Sequence, residues 1–341
     1  PVTGGDIWQN LESKGEMYPA YNDYLRDQLV SAAKEAVETA FDAQVGFGIG
    51  TCGKEQGMGG NRHRPDGPAD PSVNVIGIRD LTGTLRGCIV NYSMHPTVLH
   101  SYNFRLTADF PCYIRDTLSE KYPEMVFGFN MGSSGNQSTR FFRSGQNFDE
   151  AKRIGSAIGR EADRVLSEMQ YTDDIVLKAA STFVKPPLKK IPSVQEAQET
   201  AKRARAEYDK LVEDKAAYAI CRTAECTLIG SDFMLGMSQS VERAGSLEKI
   251  LMEELPLEAM AIRLGDCVIM GVSCENFIEI SQAVKRDSPF RYTMMSSLTN
   301  GQTNGYVCAD YAYDEFCYEA QCSAYAKGCE KALVEACMEA I

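Results

Sequence analysis

Only three histidines occur in 341 residues, His63, His95 and His100, so any chemistry that needs an imidazole is confined to short segments. In Asn91-Tyr-Ser-Met-His-Pro-Thr97, His95 directly follows an apolar run that reads as a strand, and Pro96 ends that strand and turns the chain. Loops at strand ends are where α/β proteins carry reactive groups. Two more segments have this form. Met131-Gly-Ser-Ser-Gly-Asn-Gln-Ser138 follows the run Met125 to Asn130, and Val272-Ser-Cys-Glu-Asn-Phe277 sets Glu275 after the run Cys267 to Val272. If the three strands share one sheet and one direction, His95, Ser138 and Glu275 converge at one edge of it. Imidazole and carboxylate both suit zinc, and a metal-activated water needs a nearby hydroxyl or cation to hold the developing oxyanion.

Two other patterns carry less. Gly48-Ile-Gly-Thr-Cys-Gly53 matches G-x-G-x-x-G, but Lys54-Glu-Gln-Gly-Met-Gly-Gly60 cannot open the helix that a dinucleotide site requires, so the glycines read as a close-approach loop. The 12 cysteines are scattered, several in apolar settings such as Cys88-Ile-Val and Cys267-Val-Ile, which reads as reduced thiols in a cytoplasm and not as a disulfide framework. Cys317, Cys322 and Cys329 lack paired C-x-x-C spacing, so they read as helix-packing residues rather than a structural zinc ribbon.

The elements that must position these groups follow from periodicity. Leu25, Leu29, Ala32, Ala36 and Ala40 recur at three and four and predict an amphipathic helix against a core over Tyr21 to Phe41. Ala43 to Gly50 reads as a strand, Gly53 to Pro71 as a long Gly/Pro/Asn loop, and Val73 to Arg79 with Leu85 to Asn91 as a hairpin closed by Asp80-Leu-Thr-Gly-Thr84. A helix near Asp109 to Lys121, the strand Met125 to Asn130, a helix over Phe148 to Met169 and a strand over Ile175 to Phe183 come next. Ser193 to Ala216 is a charged surface helix with a Ser-x-x-Glu capping box. The last third holds strands at Ala259 to Leu264, Cys267 to Val272 and Tyr292 to Ser297, with helices from Glu275 to Lys285 and Ser323 to Ile341. Mixed strands and long amphipathic helices without an internal repeat make a layered α/β domain.

Composition narrows the function. With 44% hydrophobic and 24% charged residues the chain can bury a large core. Lysine plus arginine total 35 against 47 acidic residues, a net charge of −12, which argues against a nucleic-acid or anionic-membrane binder. Apolar runs such as Cys267 to Val272 fall far short of the roughly 20 residues that span a bilayer.

Taken together, Gly59-Gly-Asn-Arg62, Asn91 to Thr97 with Thr107-Ala-Asp109, Gly132 to Ser138, Cys274-Glu-Asn-Phe277, Ser288-Pro-Phe290 and Asn304-Gly-Tyr-Val307 resemble the catalytic domain of the neutral/alkaline non-lysosomal ceramidase family, in family order and across most of the chain. The bacterial branch is the most similar. That resemblance implies one ceramidase-like catalytic domain over residues 1–341, with layered mixed sheets flanked by long amphipathic helices, and a zinc amidase acting on carbon–nitrogen bonds that are not peptide bonds. It places His95 and Glu275 as zinc ligands, Ser138 at the family's G-D-V-S serine and Arg62 at the arginine beside the substrate. Asn136 stands where that loop has an acid, and is carried as a third catalytic candidate. Ala309 occupies the position of the family's tyrosine ligand, so Tyr306 or Tyr311 must replace it. The family's first zinc histidine belongs to a segment that would end at Pro1, so an upstream segment, covalent or separate, is expected to complete the metal site. With that segment outside the chain, a secreted protein remains open beside a cytoplasmic one. Without the family's carboxy-terminal immunoglobulin-like domain, a small acylated amine or a cyclic amide is as fitting a substrate as a lipid-like one. The alternative is a catalytically inactive relative that serves as a binding or structural protein.

Overall fold

A computed structural model describes residues 19–100, 103–251, 256–300 and 305–341; the Pro1 segment and Asn304 lie outside them. In chain order the elements are α1 (Pro19–Glu38), β1 (Ala43–Thr51), β2 (Gly60–Asn61), β3 (Ser72–Asp80), β4 (Leu85–Tyr92), α2 (Phe110–Ser119), β5 (Val126–Met131), β6 (Gln137–Ser138), α3 (Phe148–Glu168), β7 (Tyr171–Thr172) and β8 (Leu177–Val184). There follow α4 (Val194–Glu213), α5 (Tyr218–Ala244), α6 (Leu247–Ile250), β9 (Leu257–Leu264), β10 (Cys267–Val272), β11 (Glu275–Asn276), α7 (Ile278–Asp287), β12 (Tyr292–Ser296), β13 (Tyr306–Val307), α8 (Tyr311–Asp314), α9 (Tyr318–Cys322) and α10 (Cys329–Ala340).

Two sheets stack face to face with helices outside each. The first has the order β5-β4-β3-β1-β7 and the second β12-β10-β9-β8. Alternation along each strand sorts side chains between two cores. In β3, Val73 and Val75 join Phe110, Ile114, Ile154 and Ile158 of α2 and α3, while Ile76 and Ile78 turn to the other sheet. In β10, Val268 and Met270 pack on Val284 of α7 and Leu333 of α10, while Cys267 and Ile269 meet Ile76. The result is an α/β/β/α sandwich, the layered α/β class that periodicity predicts.

Gly48 lets α3 lie close on β1. A Cβ there would come within 2.4 Å of Val165 Cγ1, so the Gly48-x-Gly50 pattern belongs to a strand packed under a helix rather than to a loop. Helix α1 forms where its apolar spacing predicts, but Leu29, Val30 and Val37 are exposed, and none of its residues joins a hydrophobic core of the described residues. The carboxy-terminal helix begins at Cys329 rather than Ser323, and α7 at Ile278 rather than Glu275. Sequence periodicity did not identify α5, a 27-residue helix that packs on α4 and α9. Helix α4 is the expected charged surface helix, with both hydrogen bonds of the Ser193/Glu196 capping box in place and only Ala197, Ala201 and Ala204 buried.

The strands that lead to His95, Ser138 and Glu275 do not share a sheet. Strands β4 and β5 are parallel neighbours in the first, and β10 belongs to the second. A polar seam joins the two sheets: Asn91 Nδ2 donates to the Met295 carbonyl at 2.7 Å, Asn130 Nδ2 donates to Ser296 Oγ at 2.8 Å, and the Ser297 amide donates to the Met131 carbonyl at 3.0 Å. The loops after β4, β5 and β10 therefore meet across a sheet–sheet boundary.

Candidate active site

His95 is fixed from both sides. Its amide donates to the Gln137 carbonyl at 3.2 Å. The following loop is held by the buried Asp109 carboxylate, which accepts from the amides of Val98 at 3.2 Å, Leu99 at 2.9 Å and Phe110 at 2.8 Å. Asp109 adopts φ 55°, a region most side chains avoid, as it caps α2.

Glu275 arrives from the other sheet. Its amide donates to the Gly305 carbonyl at 2.9 Å, and β11 pairs with β13 so that Glu275 lies beside Tyr306. The Gly132 to Ser138 loop is tied to this ribbon by Asn276 Nδ2 donating to Ser133 Oγ at 2.6 Å and by the Gly135 amide donating to the Asn276 carbonyl at 3.0 Å. His95 Nε2 and Glu275 Oε1 lie 2.5 Å apart, with both side chains only slightly exposed.

Arg62, His95, Ser138 and Tyr306 line one cavity of about 560 Å³, within the range of small-molecule sites. Ser138 pairs across β2–β6 with Gly60. Its Oγ accepts from the Arg140 amide at 3.2 Å, leaving the hydroxyl proton free of any partner among the described residues. Arg62 Nη2 donates to the Tyr306 hydroxyl at 3.4 Å, and its guanidinium stands 5.7 Å from the Tyr306 ring centre and 5.9 Å from that of Tyr318. Burial first, and then the Glu275 charge, holds the Tyr306 phenol well above its ordinary pKa, with Arg62 pulling the other way.

Two candidates go elsewhere. Asn136 is fully buried, its Oδ1 accepting from the Ile278 amide at 3.0 Å and its Nδ2 donating to Glu279 Oε2 at 2.8 Å, so its side chain anchors the start of α7 and does not line the cavity. The reason is the neighbouring Glu279, which takes an amide donor where an acid would repel it. Tyr311 donates to Glu279 Oε1 at 2.8 Å, so of the two tyrosines it is Tyr306 that stands beside Glu275.

Sequence reasoning missed Glu319. This fully buried carboxylate accepts from Arg62 Nε through Oε1 at 2.5 Å, and its Oε2 lies 2.9 Å from His63 Nε2. Burial would raise its pKa, but Arg62 and then His63 pull it well below the usual carboxylate range. His63, Glu319 and Cys317 are also the one trio of His, Cys, Asp or Glu donors among the described residues whose atoms all lie within 4.8 Å of one another. Distance alone would admit a cation there. Chemistry disfavours it, because a guanidinium already holds the carboxylate, while burial and then Glu319 push the Cys317 thiol far above its ordinary pKa. The trio therefore reads as the anchor of Arg62. All 12 cysteines are free thiols, and no helix of the described residues is long and apolar enough to cross a membrane.

No family model and no curated protein matches the sequence. Solved structures do match. Neutral ceramidase from Pseudomonas aeruginosa superposes with a TM-score of 0.61 at 15% identity, over 92% of this chain and 54% of that one. A ceramidase complexed with C2 gives 0.55 at 13% identity, over 86% and 52%. The chain thus has a ceramidase-like fold and spans about half the length of those two neighbours.

Proposed function

We propose that the protein is a zinc-dependent hydrolase of non-peptide amide bonds, with His95 and Glu275 as metal ligands and Tyr306 as a third. The observation that carries this reading is the 2.5 Å approach of His95 Nε2 to Glu275 Oε1 across two sheets, at the wall of the cavity that Ser138 and Arg62 share. An imidazole nitrogen and a carboxylate oxygen are zinc donors, so this donor set fits the ion. Bound there, zinc would supply Lewis acidity toward water and an amide carbonyl.

The chain's own residues supply the rest. The Ser138 hydroxyl, oriented by the Arg140 amide, donates to the carbonyl oxygen as charge develops on it. Arg62 adds a fixed positive charge. Its Nη1 has no partner among the described residues, and Glu319 and the two tyrosine rings hold the guanidinium still. Such fixed charge needs no reorganisation during the reaction.

Release of fatty acid from N-acyl amines of graded chain length, with and without a zinc chelator, tests the reading. Turnover that a chelator abolishes and zinc restores is the expected result. Turnover indifferent to chelation would remove zinc from the mechanism, and none with any N-acyl amine or cyclic amide would leave the inactive binding protein as the better account.

A further inference from the structure

Beyond the reacting groups, the cavity is strongly basic in an acidic protein. Arg62, Arg140, Arg143 and Arg222 line it, and Glu225 is the one carboxylate among its lining residues. Two of these cations are neutralised locally, Arg62 by Glu319 and Arg222 by Glu225, whose Oε2 lies 2.7 Å from Nη1.

Arg140 and Arg143 have no such partner. No carboxylate of the described residues lies within ion-pair distance of either. Arg140 donates to neutral acceptors only, from Nη1 to the Arg62 carbonyl and Thr223 Oγ1, both at 3.1 Å, and from Nη2 to Cys226 Sγ at 3.3 Å. Arg143 donates from Nη1 to the Thr97 carbonyl at 2.8 Å and Thr139 Oγ1 at 3.2 Å, and from Nη2 to the Tyr218 hydroxyl at 3.2 Å. Each guanidinium has five N–H groups, so each keeps donors for a ligand. Burial lowers the pKa of both, as expected of charges drawn from water without a counter-ion. Charges placed so are costly unless something pairs with them.

We propose that Arg140 and Arg143 form a subsite for a compact oxyanion, a carboxylate or a phosphate, carried by the amide substrate. The forked, planar guanidinium matches both groups. This rests on the amidase reading and deepens it: the substrate is an N-acyl amine with an acidic group rather than a neutral lipid amide. Helix α5 completes the subsite, because Arg222, Cys226 and Ile229 share one face at helical spacing toward the cavity, and Thr223 and Tyr218 hold the two arginines.

Binding is read first with sulfonamides that cannot be hydrolysed as amides, N-octylsulfonylglycine and its neutral partner N-octylsulfonylethanolamine, by calorimetry on the full chain. The anionic compound is expected to bind about 10-fold or more tightly, the scale of one charge-assisted hydrogen bond. Arg143→Met should remove most of that preference, and rising salt should erode it in the unaltered protein, so the result does not depend on the variant's folding. Equal binding of the two compounds, or a preference untouched by both Arg143→Met and salt, overturns the subsite. Hydrolysis of N-octanoylglycine, N-octanoyl-O-phosphoethanolamine and N-octanoylethanolamine is then compared. The favoured compound tells carboxylate from phosphate, and selective anion binding without hydrolysis of any would overturn the amidase reading while leaving the subsite in place.

Discussion

Arg62 and Glu319, 257 positions apart in the chain, form a buried ion pair directly behind the cavity wall. Removing the acid would strand a guanidinium away from water. Glu319→Ala should therefore cost about 3 to 5 kcal/mol of stability, the usual penalty for breaking a buried pair, and Glu319→Gln, which keeps an acceptor, should cost less. Because the folded-state pKa of Glu319 is depressed, its contribution is present above the unfolded carboxyl pKa of about 4.3 and is lost as pH falls below it. Urea unfolding of both proteins from pH 3 to pH 8 checks this. A stability gap that widens toward low pH would contradict the depressed carboxyl.

Most of the sandwich was legible because its strands alternate and its helices repeat at three and four. What escaped reading has physical causes. Helix α5 carries Cys, Thr, Ser and Met among its apolar residues, so no stripe stands out, and it was missed together with Arg222 and its place over the cavity. Helix α1 shows the opposite failure: periodicity gives a helix, but it cannot say whether a partner surface covers its stripe. His95, Ser138 and Glu275 were each legible as a reactive group after a strand, yet their strands belong to two sheets, a matter of long-range packing that local pattern does not encode. Glu319 sits in the unremarkable run Tyr318-Glu-Ala-Gln-Cys322 and acquires meaning only through Arg62.

Ser138 offers the cleanest test of oxyanion stabilisation. Its Oγ makes one hydrogen bond among the described residues, accepting from the Arg140 amide, so Ser138→Ala should leave the unfolding free energy within about 0.5 to 1.5 kcal/mol of the original. Turnover should fall about 10²-fold or more, as when a single oxyanion donor is removed. Unchanged turnover in a folded, zinc-loaded variant would return the loop to a structural role.

Metal analysis separates the two donor sets. His95→Ala and Glu275→Gln should each lower bound zinc, losing about 10-fold in affinity for every 1.4 kcal/mol of ligand energy removed. Cys317→Ser should leave zinc content as it was, because Arg62 already occupies the Glu319 carboxylate. Zinc that follows Cys317 and ignores His95 would move the metal centre to the His63 side.

The last prediction concerns the amide at Asn136. Its Nδ2 donates to Glu279 Oε2 at 2.8 Å while Oδ1 takes the Ile278 amide, so Asn136→Asp would keep the second bond and turn the first into a facing pair of carboxylates. Two acids at that distance, one buried and the other half-buried, share a proton, which raises the pKa of the pair in the folded state. A raised folded pKa means that the variant's stability deficit is small below about pH 4, where both acids are protonated in either state, and grows as pH rises through the pair's own value. At pH 8 the deficit should reach about 1 to 3 kcal/mol, the cost of a buried group left without its partner. Urea midpoints of the two proteins at pH 4 and pH 8 decide it. An equal deficit at both would show that Glu279 does not dictate the amide, and that the departure from an acid at this position has another cause.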